Sequence, residues 1–215
     1  MERKYELTNE TKEINCYTLH RIVAVRNFGN VKAGDKGGWI EKESNLSHDG
    51  DCWVFDNAMV FADAVVSGNA NVGDSAMVFA NAKVYDDARV YGSTYVHGYA
   101  SMYENARVYG RASVCEHALV HNKAQVCGTV RVYGCAEVCG DAVVSTYKDY
   151  IVFKNWWSSG RYFTWTLSNN KWKVGCFYGT GEELIIRAYN NSERSGREYE
   201  RIVRYVDEII KDNQK

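Results

Sequence analysis

A six-residue repeat runs through the middle of the chain. Steps of six from Val54 to Val144 meet Val at fifteen of sixteen positions, the exception being Met102. Ala lies two residues before thirteen of these sixteen positions. A period of six is neither the 3.6-residue period of a helix nor the two-residue period of a strand. It is typical of a solenoid that turns a corner every six residues.

The chemistry of the repeat explains its period. In each Ala-x-Val triplet the two outer residues point to the same side of a short strand, so both face inward. The residues that follow each Val are rich in Gly, Asn and Asp, which accept the tight or left-handed backbone of a corner. The sequence therefore predicts a prism of short strands between residues 52 and 146.

The spacing Val-x-x-x-Ala-x resembles that of the hexapeptide-repeat family of left-handed parallel β-helices, in which three hexads make one triangular coil. The resemblance implies a mainly β fold with about five such coils over residues 52–146. The chain departs from the family pattern in the slot after the Val, which is mostly aromatic, as at Phe55 and Tyr91. A fold does not carry a reaction with it, so the resemblance implies architecture rather than chemistry.

The segments on either side of the repeat differ from it. Residues 1–51 predict an N-terminal cap with a first irregular coil, because Ile40 and Leu46 are six positions apart but Leu46 and Val54 are eight apart. Residues 147–215 predict an α+β module with an antiparallel sheet and two helices. The strand segments are YIVFKNW, RYFTWTL and KWKVGCFY, and the helix-capping boxes begin at Thr180 and Ser195.

The layout of the chain also resembles a group of uncharacterised phage and prophage proteins. The segments that carry this resemblance are KYELTNETK, FGNVKAGDKGGWIE, NLSHDGDCWVFDNA and VGCFYGTGEEL. It implies a mobile-element origin and, with scattered cysteines and neither a signal peptide nor a membrane span, the cytoplasm of a bacterial host. The net charge of −1 gives no basic field that would attract nucleic acid.

Three hexads per coil place the outward side chains on three faces, which we number from the strand that contains Val54. Face two begins with an apolar patch that predicts self-association as a trimer or dimer. The patch consists of Met59, Phe61, Met77, Phe79 and Tyr95. The alternative is that the terminal modules of the same chain cover it.

Two further groups predict a surface that binds a partner or an anionic ligand. The first is a grid on face one, formed by Arg89, Tyr91, Arg107 and Tyr109. The second lies in the C-terminal module and consists of Trp156, Trp157 and Arg161. For the grid, the alternative is a ladder of cation–π contacts that satisfies itself.

His97 and His121 are the candidate bases if the chain is an enzyme. Each lies one coil from a cysteine, His97 from Cys115 and His121 from Cys139, but neither pair gains a third ligand. We therefore expect no metal and no cofactor. No insertion interrupts the hexads between Val54 and Val144 to enclose a substrate.

These observations favour a non-enzymatic, phage-type protein over an enzyme. Its rigid scaffold would engage or sequester a host or phage protein, for example to inhibit a bacterial defence system such as CRISPR. The alternative, implied by the family resemblance, is a hexapeptide-repeat acyltransferase that uses acetyl-CoA.

Overall fold

The computed structural model describes residues 2–157 and 159–213. The chain starts with an antiparallel hairpin of strands β1 (Tyr5–Ile14) and β2 (Tyr17–Ala24), with a bulge between Leu7 and Thr11. Strand β3 (Lys36–Ile40) pairs antiparallel with β2 and parallel with the first regular strand of face two. The hairpin therefore extends the face-two sheet past the end of the solenoid.

Sixteen two-residue strands follow, each formed by the last two residues of an Ala-x-Val triplet. They are β4 (Trp53–Val54), β5 (Met59–Val60), β6 (Val65–Val66), β7 (Asn71–Val72), β8 (Met77–Val78), β9 (Lys83–Val84), β10 (Arg89–Val90), β11 (Tyr95–Val96), β12 (Ser101–Met102), β13 (Arg107–Val108), β14 (Ser113–Val114), β15 (Leu119–Val120), β16 (Gln125–Val126), β17 (Arg131–Val132), β18 (Glu137–Val138) and β19 (Val143–Val144). Every third strand joins the same parallel sheet, which gives three faces.

The predicted β-helix is confirmed as a β-solenoid of about six turns, one more than the regular hexads give. The extra turn is the irregular coil, in which Ile40 pairs with Val60 and Leu46 bridges to Val66. The amide of Asn45 donates to the carbonyl oxygens of Ala62 and Ala64, at 2.9 and 2.8 Å. A buried side chain thus replaces ladder bonds where the hexad spacing fails.

The interior of the solenoid is a column of Ala and Val side chains that are fully buried along nearly its whole length. From Val54 to Val138, the residue two positions after the inward Val (Met102 in one hexad) occupies the left-handed region, as at Gly92 (φ +77°) and Asp74 (φ +57°). Left-handed backbone is unfavourable for residues other than Gly, but Asp74 also accepts a 2.8 Å hydrogen bond from the backbone nitrogen of Gly92 in the next coil. Corner side chains therefore join successive coils.

The N-terminal end of the column is closed by buried polar and aromatic side chains. Tyr5 donates a 2.7 Å hydrogen bond to the carbonyl oxygen of Leu46, and burial raises the pKa of its phenol. Lys4 is fully buried and donates to the carbonyl oxygen of Gly50 at 3.1 Å, with its Nζ 3.2 Å from Sγ of Cys52. The Tyr5 hydroxyl and the Lys4 ammonium thus both donate to carbonyl oxygens of the first coil.

The C-terminal module has a four-stranded antiparallel sheet and two helices. Its elements are β20 (Tyr150–Lys154), β21 (Tyr162–Thr166), β22 (Lys171–Val174), β23 (Phe177–Gly179), α1 (Gly181–Asn191) and α2 (Glu193–Asn213). The helices pack on one side of the sheet around Trp165, Trp172 and Val203. No helix among the described residues is long and apolar enough to cross a membrane.

Two details of the predicted module are wrong. The segment KWKVGCFY is not one strand, because the chain reverses at Gly175 (φ +55°) and continues as β23. The capping box at Thr180 is present, but Ser195 lies inside α2, which begins at Glu193. Ser192 takes the capping role there, since its hydroxyl accepts a 3.1 Å hydrogen bond from the backbone nitrogen of Ser195.

The C-terminal sheet closes the second end of the solenoid. Tyr150 and Val152 pack against the Ala and Val column, and the hydroxyl of Thr164 accepts a 2.9 Å hydrogen bond from the backbone nitrogen of Glu137. The hydroxyl of Ser168 accepts a 2.7 Å bond from the backbone nitrogen of Val143. The last coil, which has no further coil to bond to, finds these partners in the module.

Candidate functional site

The apolar patch on face two is partly covered by the chain itself. Leu19 and Tyr17 of the N-terminal hairpin pack over Phe61, whose ring lies 5.1 Å from that of Tyr17. Met59 and Phe61 are buried, so the expectation that they are exposed is wrong. Met77 and Phe79 are half-buried and Tyr95 is exposed, so only the later part of the patch reaches solvent.

His97 continues the aromatic row of face two. Phe61 stacks on Phe79 with ring centroids 5.2 Å apart, and Phe79 stacks on His97 at 4.8 Å. The imidazole lies just beyond the cluster that the hairpin covers and is half-buried. Burial and then the positive charge of Arg131 lower the pKa of His97, against the opposing effect of Glu116. The ring is therefore neutral at pH 7 and able to accept a proton.

The next two coils place a thiol and a guanidinium beyond His97. Cys115 is fully buried, and Nε of Arg131 donates to its sulfur at 3.1 Å. The same guanidinium is 3.7 Å from the carboxylate of Glu116 and lies over the ring of Tyr133. The Cys115 side chain is thus a covered hydrogen-bond partner rather than an outward ligand.

Face two ends in a groove of about 750 Å³ between the last coil and the C-terminal sheet. Its main side chains are Arg131, Tyr133, Cys135, Tyr147, Tyr150 and Tyr162. The groove could not be predicted from the sequence, because its two walls come from the repeat and from the module. The only available signal was the cluster of tyrosines immediately before and after the point where the hexads stop.

His121 has a different environment on face three. Its ring stacks on Tyr103 at 4.7 Å, and its Nε2 lies 3.0 Å from Oε1 of Glu137. Nζ of Lys173, from β22, lies 3.2 Å from the same oxygen. His121 is buried under the module, as is Cys139, whose pKa burial raises to about 12. This histidine joins two parts of the fold and is closed to a substrate.

The described residues contain no group of three His, Cys, Asp or Glu side chains that could hold a metal ion. Two of the potential ligands in the repeat contact other side chains instead. Cys115 contacts Arg131, and His117 stacks on Tyr99 at 5.1 Å. These potential metal ligands therefore do not converge on one point.

The grid on face one is assembled as its spacing predicts. Arg89 and Arg107 are direct partners in the parallel ladder, and both are exposed. Within the described residues, neither guanidinium forms an ion pair or a cation–π contact, so the self-satisfying ladder is absent. Tyr109 is exposed and donates to Oε1 of Gln125 at 3.1 Å, whereas Tyr91 is half-buried over Gly73.

The aromatic and basic residues of the module do not share one surface. Trp156 is 85% exposed and borders a hollow of about 360 Å³ with Trp157 and Tyr205. Trp157 is half-buried, with its ring against Phe163. Arg161 lines a separate, smaller hollow. The three residues predicted as one contact surface therefore belong to two places.

Two comparisons relate the chain to known proteins. A family model described as the YdcK beta solenoid repeat matches residues 82–98. The chain is also 39% identical over 75 residues to a protein of Escherichia coli (strain K12) named "Uncharacterized acetyltransferase YdcK". That match covers 31% of this chain and 23% of the relative. The chain therefore carries a YdcK-type repeat and is distantly homologous to that protein over part of its length.

Proposed function

We propose that this protein is a β-solenoid acyltransferase that moves an acetyl group from acetyl-CoA to an amine or hydroxyl, with His97 as general base. The observation that carries the proposal is the position of His97, a neutral and half-buried imidazole on the face that leads to the 750 Å³ groove. The distant homology to a protein named as an acetyltransferase supports the same reaction class.

In the proposed acyl transfer, the protein holds the two reactants together and supplies a base. The imidazole of His97 takes the proton from the attacking nitrogen or oxygen while that atom bonds to the thioester carbonyl carbon. The carbon–sulfur bond then breaks, and the leaving thiolate of CoA takes up the proton from the imidazolium, which restores neutral His97. His97 and Tyr133 are two coils apart, or about 10 Å along the face, so an extended donor in the groove would bring its thioester to the imidazole.

Self-association would supply the enclosure that the uninterrupted hexads lack. Met77, Phe79 and Tyr95 remain accessible beside His97 after the hairpin has covered the start of the patch. A second copy packed on this strip, in a dimer or trimer, would exclude water from the imidazole. Light scattering on the purified chain, with Tyr95→Glu as the disrupting variant, tests this part of the proposal.

A transfer assay with two histidine variants tests the role of His97. The protein is incubated with radiolabelled acetyl-CoA and a pool of bacterial small molecules, and labelled products are separated by chromatography. His97→Asn should slow transfer by roughly a hundredfold or more and leave the affinity for acetyl-CoA unchanged. His117→Asn, at an exposed corner one coil away, is the matched control and should retain the rate. Equal rates in the two variants would exclude His97 as the base.

A second candidate function is binding of a protein partner without catalysis. The observation that favours this function is the side chain of Trp156, which is 85% exposed beside Tyr205 and Lys154. Exposed tryptophans are common anchors of protein interfaces. A host factor as that partner, a phage origin and inhibition of a defence system remain predictions, and neither comparison bears on them. A pull-down in which Trp156→Ala loses a specific partner supports this candidate, and no specific partner counts against it.

A further inference from the structure

Two arginines on face one lie side by side, and no described carboxylate forms an ion pair with either of them. Arg89 and Arg107 are register partners in neighbouring strands, so their Cα atoms are about 4.8 Å apart. Both side chains are exposed, and neither makes an ion pair or a side-chain hydrogen bond within residues 2–157 and 159–213. Like charges directly opposite each other repel, and an anion bound between them would remove that repulsion.

The arginine in the same slot of face two has the partners that these two lack. Arg131 donates to Sγ of Cys115 and pairs with Glu116. On face one the outward neighbours of the arginine pair are the uncharged amides Asn71 and Gln125. The row therefore has two cations in its centre and hydrogen-bonding groups at both ends.

The nearest carboxylates of face one are already engaged at the corners. Oδ2 of Asp56 accepts a hydrogen bond from the backbone nitrogen of Asp74, and Oδ2 of Asp74 accepts one from Gly92. Oδ1 of Asp87, at the opposite corner, accepts one from the side-chain amide of Asn69 at 3.2 Å. These carboxylates hold coils together and leave the guanidinium groups to an external partner.

The two tyrosines of the grid lie beside the arginine pair and are held in place by their own contacts. A Cβ on Gly73 would lie 2.9 Å from the ring of Tyr91, so the glycine makes room for that ring to lie against the face. The hydroxyl of Tyr109 donates to Oε1 of Gln125, which leaves the amide nitrogen of Gln125 as a donor for another acceptor. Gln125 thus adds a donor beside the guanidinium of Arg107.

We propose that Arg89 and Arg107 form a binding site for a dianionic oxyanion of the phosphate class. Guanidinium groups recognise such oxygens through paired hydrogen bonds, and two adjacent groups supply enough donors for one phosphate. The site lies on face one, whereas His97 lies on face two. It does not depend on the proposed acyl transfer, and either can fail alone.

Phosphate titration at constant ionic strength tests the site. Inorganic phosphate is added to the full chain while the arginine Nε–Hε signals are followed by NMR. Saturable shifts are expected for Arg89 and Arg107, and binding should weaken at least tenfold in both Arg89→Gln and Arg107→Gln, with unchanged melting temperatures. Arg111→Gln, an exposed arginine at the adjoining corner, is the matched control and should bind as the wild type does.

Three results would overturn the proposal. The first is the absence of saturation up to roughly 50 mM phosphate, a concentration at which even very weak sites are filled. The second is an equal loss of binding in Arg111→Gln, which would indicate a diffuse attraction of anions to the surface. The third is equal binding of acetate, a monoanion that cannot bridge two guanidinium groups with a double charge.

Discussion

Nε2 of His121 lies 3.0 Å from Oε1 of Glu137, and that oxygen also lies 3.2 Å from Nζ of Lys173. His121 and Glu137 belong to neighbouring coils of the solenoid, whereas Lys173 belongs to the C-terminal sheet. All three side chains are mostly buried. The carboxylate of Glu137 is therefore a charged link between the repeat and the module that closes its end, in addition to the hydrogen bonds to Thr164 and Ser168.

Glu137→Gln should destabilise the protein in a pH-dependent way. Burial acts to raise the pKa of Glu137, but the hydrogen bond from His121 and the charge of Lys173 outweigh it, so the pKa is lowered from its ordinary 4.5. A lowered native pKa means that the stabilisation is present at neutral pH and is lost as the pH falls below 4.5 and through the native value.

Denaturant unfolding at several pH values measures this effect. At pH 7 the free energy of unfolding should fall by about 1–3 kcal/mol in Glu137→Gln, and the difference should shrink in acid. Glu116→Gln, in an exposed pair with Arg131, should change it by about 0.5 kcal/mol or less. A Glu137→Gln effect that is independent of pH would contradict the charged link.

Thiol labelling should divide the seven cysteines by burial. Cys16 and Cys176 are exposed, whereas Cys52, Cys115 and Cys139 are buried. Burial raises the pKa of Cys139 to about 12, and that of Cys52 is raised for the same reason. Iodoacetamide followed by mass spectrometry should label Cys139 roughly a hundredfold more slowly than Cys176, because the thiolate is the reactive form. Equal rates in the native protein, rather than only in denaturant, would show that the module does not cover face three.

Two glycines in equivalent corners separate backbone strain from close packing. Gly92 and Gly134 both have positive φ, at +77° and +68°. A Cβ on Gly92 would lie 2.5 Å from the carbonyl oxygen of Gly110, whereas one on Gly134 would meet nothing within 4 Å. Gly134→Ala should cost about 1–2 kcal/mol from the left-handed backbone alone. Gly92→Ala should cost a further 1–3 kcal/mol, roughly, from the clash with the next coil. Thermal unfolding of the two variants gives the comparison, and equal costs would contradict coil contact at Gly92.

The solenoid was predictable because its information is local and repeated. The Val and Ala of every hexad take the same inward positions, so one hexad predicts the structure of the next. Pairs such as Arg89 and Arg107 are predicted because one coil contains eighteen residues. The extra first turn was less predictable, since eight residues separate Leu46 from Val54 and a buried Asn45 replaces the regular bonds.

The candidate site was harder to predict from the sequence, because it is formed by contacts between distant parts of the chain. The patch at Phe61 looked exposed, because nothing in the hexads indicates that Tyr17 and Leu19 fold back over it. His97 and His121 occupy similar slots in the sequence. The N-terminal hairpin stops short of His97 and leaves it accessible. Lys173 and the C-terminal module enclose His121. The groove has the same origin, since Tyr133 and Tyr162 meet only when the module docks.

The melting temperature in the presence of acetyl-CoA tests the proposed acyl transfer most directly. If 1 mM acetyl-CoA is about a hundredfold above the dissociation constant, binding stabilises the fold by about 2.7 kcal/mol. That corresponds to a rise of roughly 5–10 °C for a chain of this size. ATP at the same concentration controls for a general effect of polyanions, and Tyr147→Ala should reduce the rise by removing an exposed side chain of the groove. A rise with acetyl-CoA that exceeds that with ATP is the predicted result, and an unchanged melting temperature at 1 mM acetyl-CoA would contradict the proposed function.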